Sequence, residues 1–272
     1  MPTTYSHMAF GERVLAHLTG DEQGSALCSE INKAKNDFMV GTHGPDLLFY
    51  YKALKPNDIS RIGSKLHSAV AADLMEKLKE IALDSAEGFA YAMGVVCHYV
   101  LDYRCHPYVN HYRDEKSVSH GEIELEMDRK MMLTDGHDPM TYRPADSLSL
   151  SKRIWKPLEK IYVGATAEQI GKAAESFVFY CGLGVCPNNL LRNVILRAMK
   201  LIGLEELSKG HVMVPQANPV CDASSEKLCQ MLEATVSIAA ETIKAYNNYI
   251  RGEGELPEIF FGTFGGPVSK TE

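Results

Sequence analysis

The sequence predicts an all-α protein. Apolar residues recur three and four apart along nearly the whole chain, alternating β-branched runs are scarce, and capping signals precede several apolar segments. A first helix spans about Thr4 to Leu18, with Met8, Val14, Leu15 and Leu18 inward and Gly20 as its stop. A second covers about Ser25 to Phe38. The segment Gly41-Thr-His-Gly-Pro-Asp46 reads as a turn by its Gly and Pro content, and a short helix from Leu47 to Ala53 follows. His67 then opens a helix to about Leu83. Asp84-Ser-Ala-Glu87 sets a carboxylate or hydroxyl three residues before an acid, a helix-capping pattern, and Pro107 marks the far end, so this helix runs about 84–106. Ser119 and Glu122 repeat the pattern for a helix ending near Leu133, after which Thr134 to Ser147 is polar and looped. Later helices cover about 149–163, 166–182, 188–203 and 223–250, with an irregular piece from Val214 to Ser225 and a Gly-rich aromatic tail from Gly252. No stretch has a flexible linker's composition and no fixed-period repeat is present, so residues 1–272 read as a single compact multi-helix domain.

Composition narrows the function. The 272 residues are 45% hydrophobic and 23% charged, the proportions of an ordinary globular chain. Lys and Arg total 28 against 35 Asp and Glu, a net charge of −7 without a basic cluster, which disfavours nonspecific binding to a phosphate backbone. Seven cysteines, an odd number without dense pairing, fit a reducing compartment. The opening Met-Pro-Thr-Thr-Tyr-Ser-His7 lacks a basic region followed by an apolar one, and no apolar run approaches about 18 residues. The expectation is therefore a cytoplasmic protein with no secretion signal and no transmembrane span.

The chemistry concentrates in His98-Tyr-Val-Leu-Asp102-Tyr-Arg-Cys-His106-Pro. At about 100° per residue, positions 98, 102 and 106 fall on one helical stripe, among Val95, Val96, Val100 and Leu101. Two imidazoles and a carboxylate on an apolar helix need compensation, and a divalent metal supplies it. The next helix brings His120 and Glu124, again at i and i+4, while His67, Asp46 and His7 lie upstream. A lone buried His is usually a satisfied core residue and a lone helical His/acid pair a surface ion pair, so the inference rests on the set of eight. Nitrogen and oxygen donors without thiolate suit zinc in sites that keep water as a further ligand.

Thr4-Tyr-Ser-His7 with Phe10-Gly11, then Gly44-Pro-Asp46, His67, His98-x3-Asp102-x3-His106-Pro and His120-x3-Glu124 resemble the zinc-dependent phospholipase C family, whose helical fold is shared with S1/P1-type nucleases. The resemblance covers residues 4 to 130 and is specific in order and spacing; the remaining half agrees in being helical. It implies a first zinc held by Asp46, His67, His98 and Asp102, and a second held by His106, His120 and Glu124. It also implies that Asp102 bridges to a third zinc, which uses His7 and, in the family, a free amino terminus exposed when the secretion signal is removed. Here positions 1 to 6 hold neither the family's leading Trp nor its acid ahead of the first His. Two or three Zn2+ per chain are expected.

The implied activity is zinc-dependent hydrolysis of a phosphoric diester, on the diacylglycerol side of a phospholipid or in a smaller analogue. Zinc lowers the pKa of bound water to roughly 7, and metals about 3.5–4 Å apart can hold the nonbridging phosphate oxygens. Asp46 is the expected general base, with simple ligation as its competing role. Each ligand His is expected to donate its other N–H to a carboxylate or carbonyl. A nuclease or phosphatase on the same scaffold is the alternative enzyme, although the single Trp155 and the negative charge do not favour base stacking or a stable nucleic-acid complex. A non-catalytic metal-binding protein is the alternative from another class.

Other motifs are weaker. His137-Asp138 resembles the pair of HD-type phosphohydrolases but lies in a turn composition. His17, His111 and His211 lack ligand-spaced partners, and His43 is notable for its closeness to Asp46. Cys181 and Cys186 read as small buried hydrophobes, and Met127, Met131 and Met132 as core or groove filling. Ile259-Phe-Phe-Gly-Thr-Phe264 reads as a strap on the helical body, with contact to a lipid surface as the other reading.

Overall fold

A computed structural model describes residues 4–149 and 151–268. Helices account for all the regular structure among the described residues, as twelve α-helices and four short 3-10 segments. The first, α1 (Thr4–Leu18), has the expected bounds. Asp21 accepts from the Gly24 N–H at 2.7 Å and caps α2 (Glu22–Asn32). The expected single helix to Phe38 is two, because the chain turns at Ala34 (φ −137°, ψ 48°) and restarts as α3 (Lys35–Gly41). This break lets α3 lie in backbone contact with the central helix. A Cβ on Gly94 would stand 2.2 Å from the Phe38 carbonyl oxygen and 2.8 Å from Gly41 Cα.

The turn after α3 is a 3-10 segment, Gly44–Tyr50, rather than a helix from Leu47. Gly44 has φ +46°, and a Cβ there would meet the His98 ring at 3.1 Å, so glycine serves both the backbone and the site. A helix not expected there follows, α4 (Asp58–Ser68), opened by a capping box. Asn57 Oδ1 accepts from the Ile59 and Ser60 N–H groups at 3.1 Å each, and Ser60 Oγ accepts from the Asn57 N–H at 3.0 Å. His67 thus closes a helix instead of opening one, and α5 (Ala72–Asp84) starts afterwards.

The central helix, α6 (Ala86–Lys116), is capped by Ser85 and runs straight through Pro107 to Lys116. Proline costs a helix interior about 3 kcal/mol, yet beyond it Val109 and Tyr112 are buried, and the Tyr112 hydroxyl donates to the Val220 carbonyl at 2.5 Å. Packing thus outweighs the local penalty. Ser119 caps α7 (His120–Thr134) as expected. Then come α8 (Trp155–Ile161), shorter than its periodicity, α9 (Ala167–Gly184), α10 (Asn189–Leu201), the short α11 (Glu205–Lys209) and the long α12 (Asp222–Arg251).

The axis is α6, buried on all sides from Gly88 to Asp102 and packed against α1, α2, α3, α5, α7 and α12. One contiguous apolar cluster reaches from Tyr5 to Phe264. The aromatic tail is a strap: Phe260 and Phe264 are fully buried, Tyr99 donates to the Ile259 carbonyl at 2.6 Å, and the Ala71 N–H donates to that of Gly262 at 2.9 Å. The seven cysteines are all unpaired, and no described helix is long and apolar enough to cross a membrane.

One carboxylate in this frame opposes folding. Asp37 on α3 is 5% exposed; burial pushes its pKa up to about 6, with repulsion from Glu87 adding and Arg153 partly offsetting. Its folded pKa lies above the unfolded value, so the folded state holds the extra proton and stability falls as pH rises from about 4 to about 6. Asp37→Asn should therefore stabilise the protein by about 2 kcal/mol at pH 7.5 and by nearly nothing at pH 4, read from urea unfolding. An equal gain at both pH values would contradict the assignment.

Candidate metal centre

The eight predicted ligand residues converge from five elements. Spacing on α6 aligns His98, Asp102 and His106, and α7 presents His120 and Glu124 beside them. The remaining three are His7 from α1, Asp46 from the 3-10 turn and His67 from the last turn of α4. Three groups have donor atoms all within 4.8 Å of one another: His7, His98 and Asp102; Asp46, His67 and His98; and His106, His120 and Glu124.

Asp102 links these groups. Its Oδ1 lies 3.4 Å from His7 Nε2 and 3.4 Å from His106 Nε2, while its Oδ2 lies 3.4 Å from His98 Nε2. One carboxylate therefore offers one oxygen to each side. On the first side Asp46 Oδ1 stands 2.8 Å from His67 Nε2 and Oδ2 stands 3.9 Å from His98 Nε2. On the other, Glu124 Oε1 stands 2.9 Å from His120 Nε2 and 3.4 Å from His106 Nε2.

Backbone carbonyls orient three of the imidazoles from behind. His67 Nδ1 faces the Gly63 carbonyl at 2.8 Å, His98 Nδ1 that of Thr42 at 3.1 Å and His106 Nδ1 that of Phe264 at 2.9 Å. With Nδ1–H donated outward, each Nε2 faces the centre and is the nitrogen that gives up its proton to take a cation. Side chains close the wall, with Phe264 packed at 4.7 Å from the His67 ring and 5.4 Å from the His98 ring.

The electrostatics match the geometry. Burial alone would raise Asp46, Asp102 and Glu124, but the surrounding imidazoles hold all three carboxyls well below the usual range. Burial works against protonating His106, yet Asp102 and Glu124 on either side keep its pKa at about 9. His98, buried and beside His7, is lowered to about 4 and stays neutral. In the metal-free protein the carboxylates are thus compensated by protonated histidine. The fit to a cation is good: His98 Nε2 and His7 Nδ1 are buried without a hydrogen-bond partner among the described residues, and the donors are nitrogen and oxygen throughout.

Two further groups shape the centre. Asp128 continues the α7 stripe of His120 and Glu124 by one more i+4 step, and that spacing was the available signal for it. It is buried and accepts from the Tyr5 N–H at 3.0 Å, the Ser6 N–H at 2.7 Å and the Ser6 hydroxyl at 2.5 Å, clamping the start of α1 next to His7. Burial nevertheless pushes its pKa up to about 6. His43 is fully buried with both ring nitrogens lacking a hydrogen-bond partner among the described residues, packed 4.6 Å from Phe177 and 6.3 Å from His7 by ring centroids. Burial keeps it neutral. The remaining histidines stand apart: His137 stacks on Tyr142, His111 pairs with exposed Glu115, and His211 faces the Leu207 carbonyl.

Comparison with known proteins agrees with this geometry. The sequence model described as zinc-dependent phospholipase C matches residues 6–174, more than half of the chain and a span within which the eight residues above lie. No curated protein and no solved structure gave a match.

Two outcomes follow from this arrangement of charge. Zinc titrated into metal-free protein at pH 7.5 should displace at least one proton per chain, most directly from His106, read by calorimetry in two buffers of different ionisation enthalpy. Equal heats in both would contradict the protonated centre. Asp128→Ala should destabilise the protein by about 2 kcal/mol in urea, because two buried N–H groups lose their acceptor.

Proposed function

Because the chain belongs to the zinc-dependent phospholipase C family, we propose that its buried centre hydrolyses a phosphodiester, a phospholipid or a smaller analogue, with two or three zinc ions as cofactor. The observation that carries this reading is Asp102, whose two oxygens each lie 3.4 Å from histidine Nε2 atoms on opposite sides. A carboxylate so placed suits adjacent ions sharing one ligand.

Under this reading Asp46, His67, His98 and Asp102 hold one ion, and His106, His120 and Glu124 hold a second. His98 has a single nitrogen free for the centre, since its Nδ1 faces the Thr42 carbonyl. It would therefore serve one ion; the family resemblance assigns it to the first, which leaves His7 and Asp102 for a third. When bound, the ions supply Lewis acidity toward a phosphoryl oxygen and toward water. Three carboxylates against two or three divalent charges leave a net positive centre in a chain of net charge −7, which favours an anionic phosphodiester.

Asp46 is the proposed general base. Held to its ion through Oδ1, which stands 2.8 Å from His67 Nε2, Asp46 would keep Oδ2 to receive a proton. Phe49 and Phe264 flank His67 at 5.4 and 4.7 Å and exclude water from that edge of the centre.

Zinc-loaded protein should turn over a chromogenic phosphodiester and phosphatidylcholine, lose turnover with chelator and regain it with zinc. No turnover across phosphocholine esters and single-stranded DNA would overturn the hydrolase reading. Asp46→Asn should lower kcat by about 10²–10⁴-fold while most zinc stays bound, as elemental analysis would record. An unchanged kcat would remove Asp46 as the base.

A further inference from the structure

Outside the family-matched residues 6–174, α10 turns its apolar face outward. Leu190 is 76% exposed and Leu201 86%, with Leu191, Val194 and Ile202 also exposed, whereas Arg192 is buried. At about 100° per residue, positions 190, 191, 194, 198, 201 and 202 fall within about 120° of one another, so these residues form one continuous stripe. The helix is anchored at its start. Asn188 Oδ1 caps it by accepting from the Leu191 N–H at 3.0 Å, and inward-facing Arg192 donates to the Cys186 carbonyl at 2.8 Å.

Charge identifies what this face suits. Between Cys181 and Leu204 there is no Asp or Glu, and three cations stand there in a chain of net charge −7. Exposed Arg197 and Lys200 flank one edge of the apolar stripe, the arrangement of a helix lying in the plane of an anionic lipid surface. Lys200 also pairs with Glu205 at 3.1 Å, an exposed contact for which a lipid phosphate competes readily. Phe179 and Leu183, in the last turns of α9, are exposed as well. A polypeptide partner would not require this one-sided charge. The segment is tied to the centre, because after α11 the chain packs at Gly210 against Gly121, the neighbour of His120, where an added Cβ would stand 3.1 Å from Gly210 Cα.

We propose that α10 is an in-plane lipid-binding helix, its apolar stripe entering the headgroup region of an anionic phospholipid surface with Arg197 and Lys200 at headgroup level. As a statement about substrate this rests on the phosphodiesterase reading above; as a statement about binding it stands without it.

The test uses the full zinc-loaded chain and sedimentation with vesicles of phosphatidylcholine, with and without phosphatidylglycerol. The wild type should partition onto the vesicles containing phosphatidylglycerol. The variant L190S/V194S/L201S should bind at least about tenfold more weakly, and R197Q/K200Q should lose the preference for anionic vesicles. Both should keep the wild-type thermal midpoint and, where the wild type turns over a soluble chromogenic phosphodiester, its rate. Wild type left in the supernatant, or a triple variant that binds equally, would overturn the proposal. So would a wild-type dimer in sedimentation velocity that the triple variant abolishes, since the occupant would then be a second copy. Vesicle binding lost in the triple variant but without turnover of any soluble diester would sink the hydrolase reading and leave the lipid-binding helix in place.

Discussion

Everything in this molecule accommodates one electrostatic constraint: three carboxylates and five histidines share the interior of a helical bundle. A charge of that kind costs several kcal/mol to remove from water unless an opposite charge lies against it. The arrangement answers by alternation. Asp46 sits between His67 and His98, Asp102 between His7, His98 and His106, and Glu124 between His106 and His120. In the absence of metal, protons on the imidazoles balance the carboxylates; a divalent cation would take over that task in the same positions.

The scaffold can be read as the means of holding that alternation still. A 31-residue helix passes through the middle of the molecule, so its polar stripe has no freedom to turn toward water. Glycines at 41 and 94 bring α3 to backbone contact with it, which delivers the Gly-Pro-Asp turn to His98. Asp128 fixes the start of α1, and the aromatic strap closes the outer edge. These are packing devices, and each acts on the centre by limiting where a donor atom can go.

The fold class was legible in the sequence because it rests on helical period, and so were the two helical stripes of the candidate centre, whereas His7, Asp46 and His67 came from the order and spacing of the family's motifs. His98, Asp102 and His106 declare themselves at i+4 spacing, as do His120 and Glu124, and the structure brings them together with His7, Asp46 and His67. What was not legible follows a pattern. Pro107 reads as a helix end by local rules, whereas the burial of Val109 and Tyr112 that carries α6 past it is a long-range effect. The helix ending at Ser68 was missed although Asn57 and Ser60 form a capping box and Ile59, Ile62 and Leu66 recur at helical spacing, because His67 reads as a start and not as a last turn. Ala34 breaks what periodicity joins, for a contact made with a helix fifty residues away. The Phe264 carbonyl behind His106 carries no side-chain chemistry at all, so no reading of residue types could have placed it.

That carbonyl sets an order in time. The residues of the centre lie between His7 and Glu124, but the acceptor that orients His106 is made 158 residues after it, in the strap that crosses the bundle late in the chain. On the ribosome, a chain with all of its donors already emerged still lacks the group that aims one of them. Orientation of His106 is therefore coupled to docking of the strap, and a nascent chain has no finished centre until Phe264 has emerged and packed.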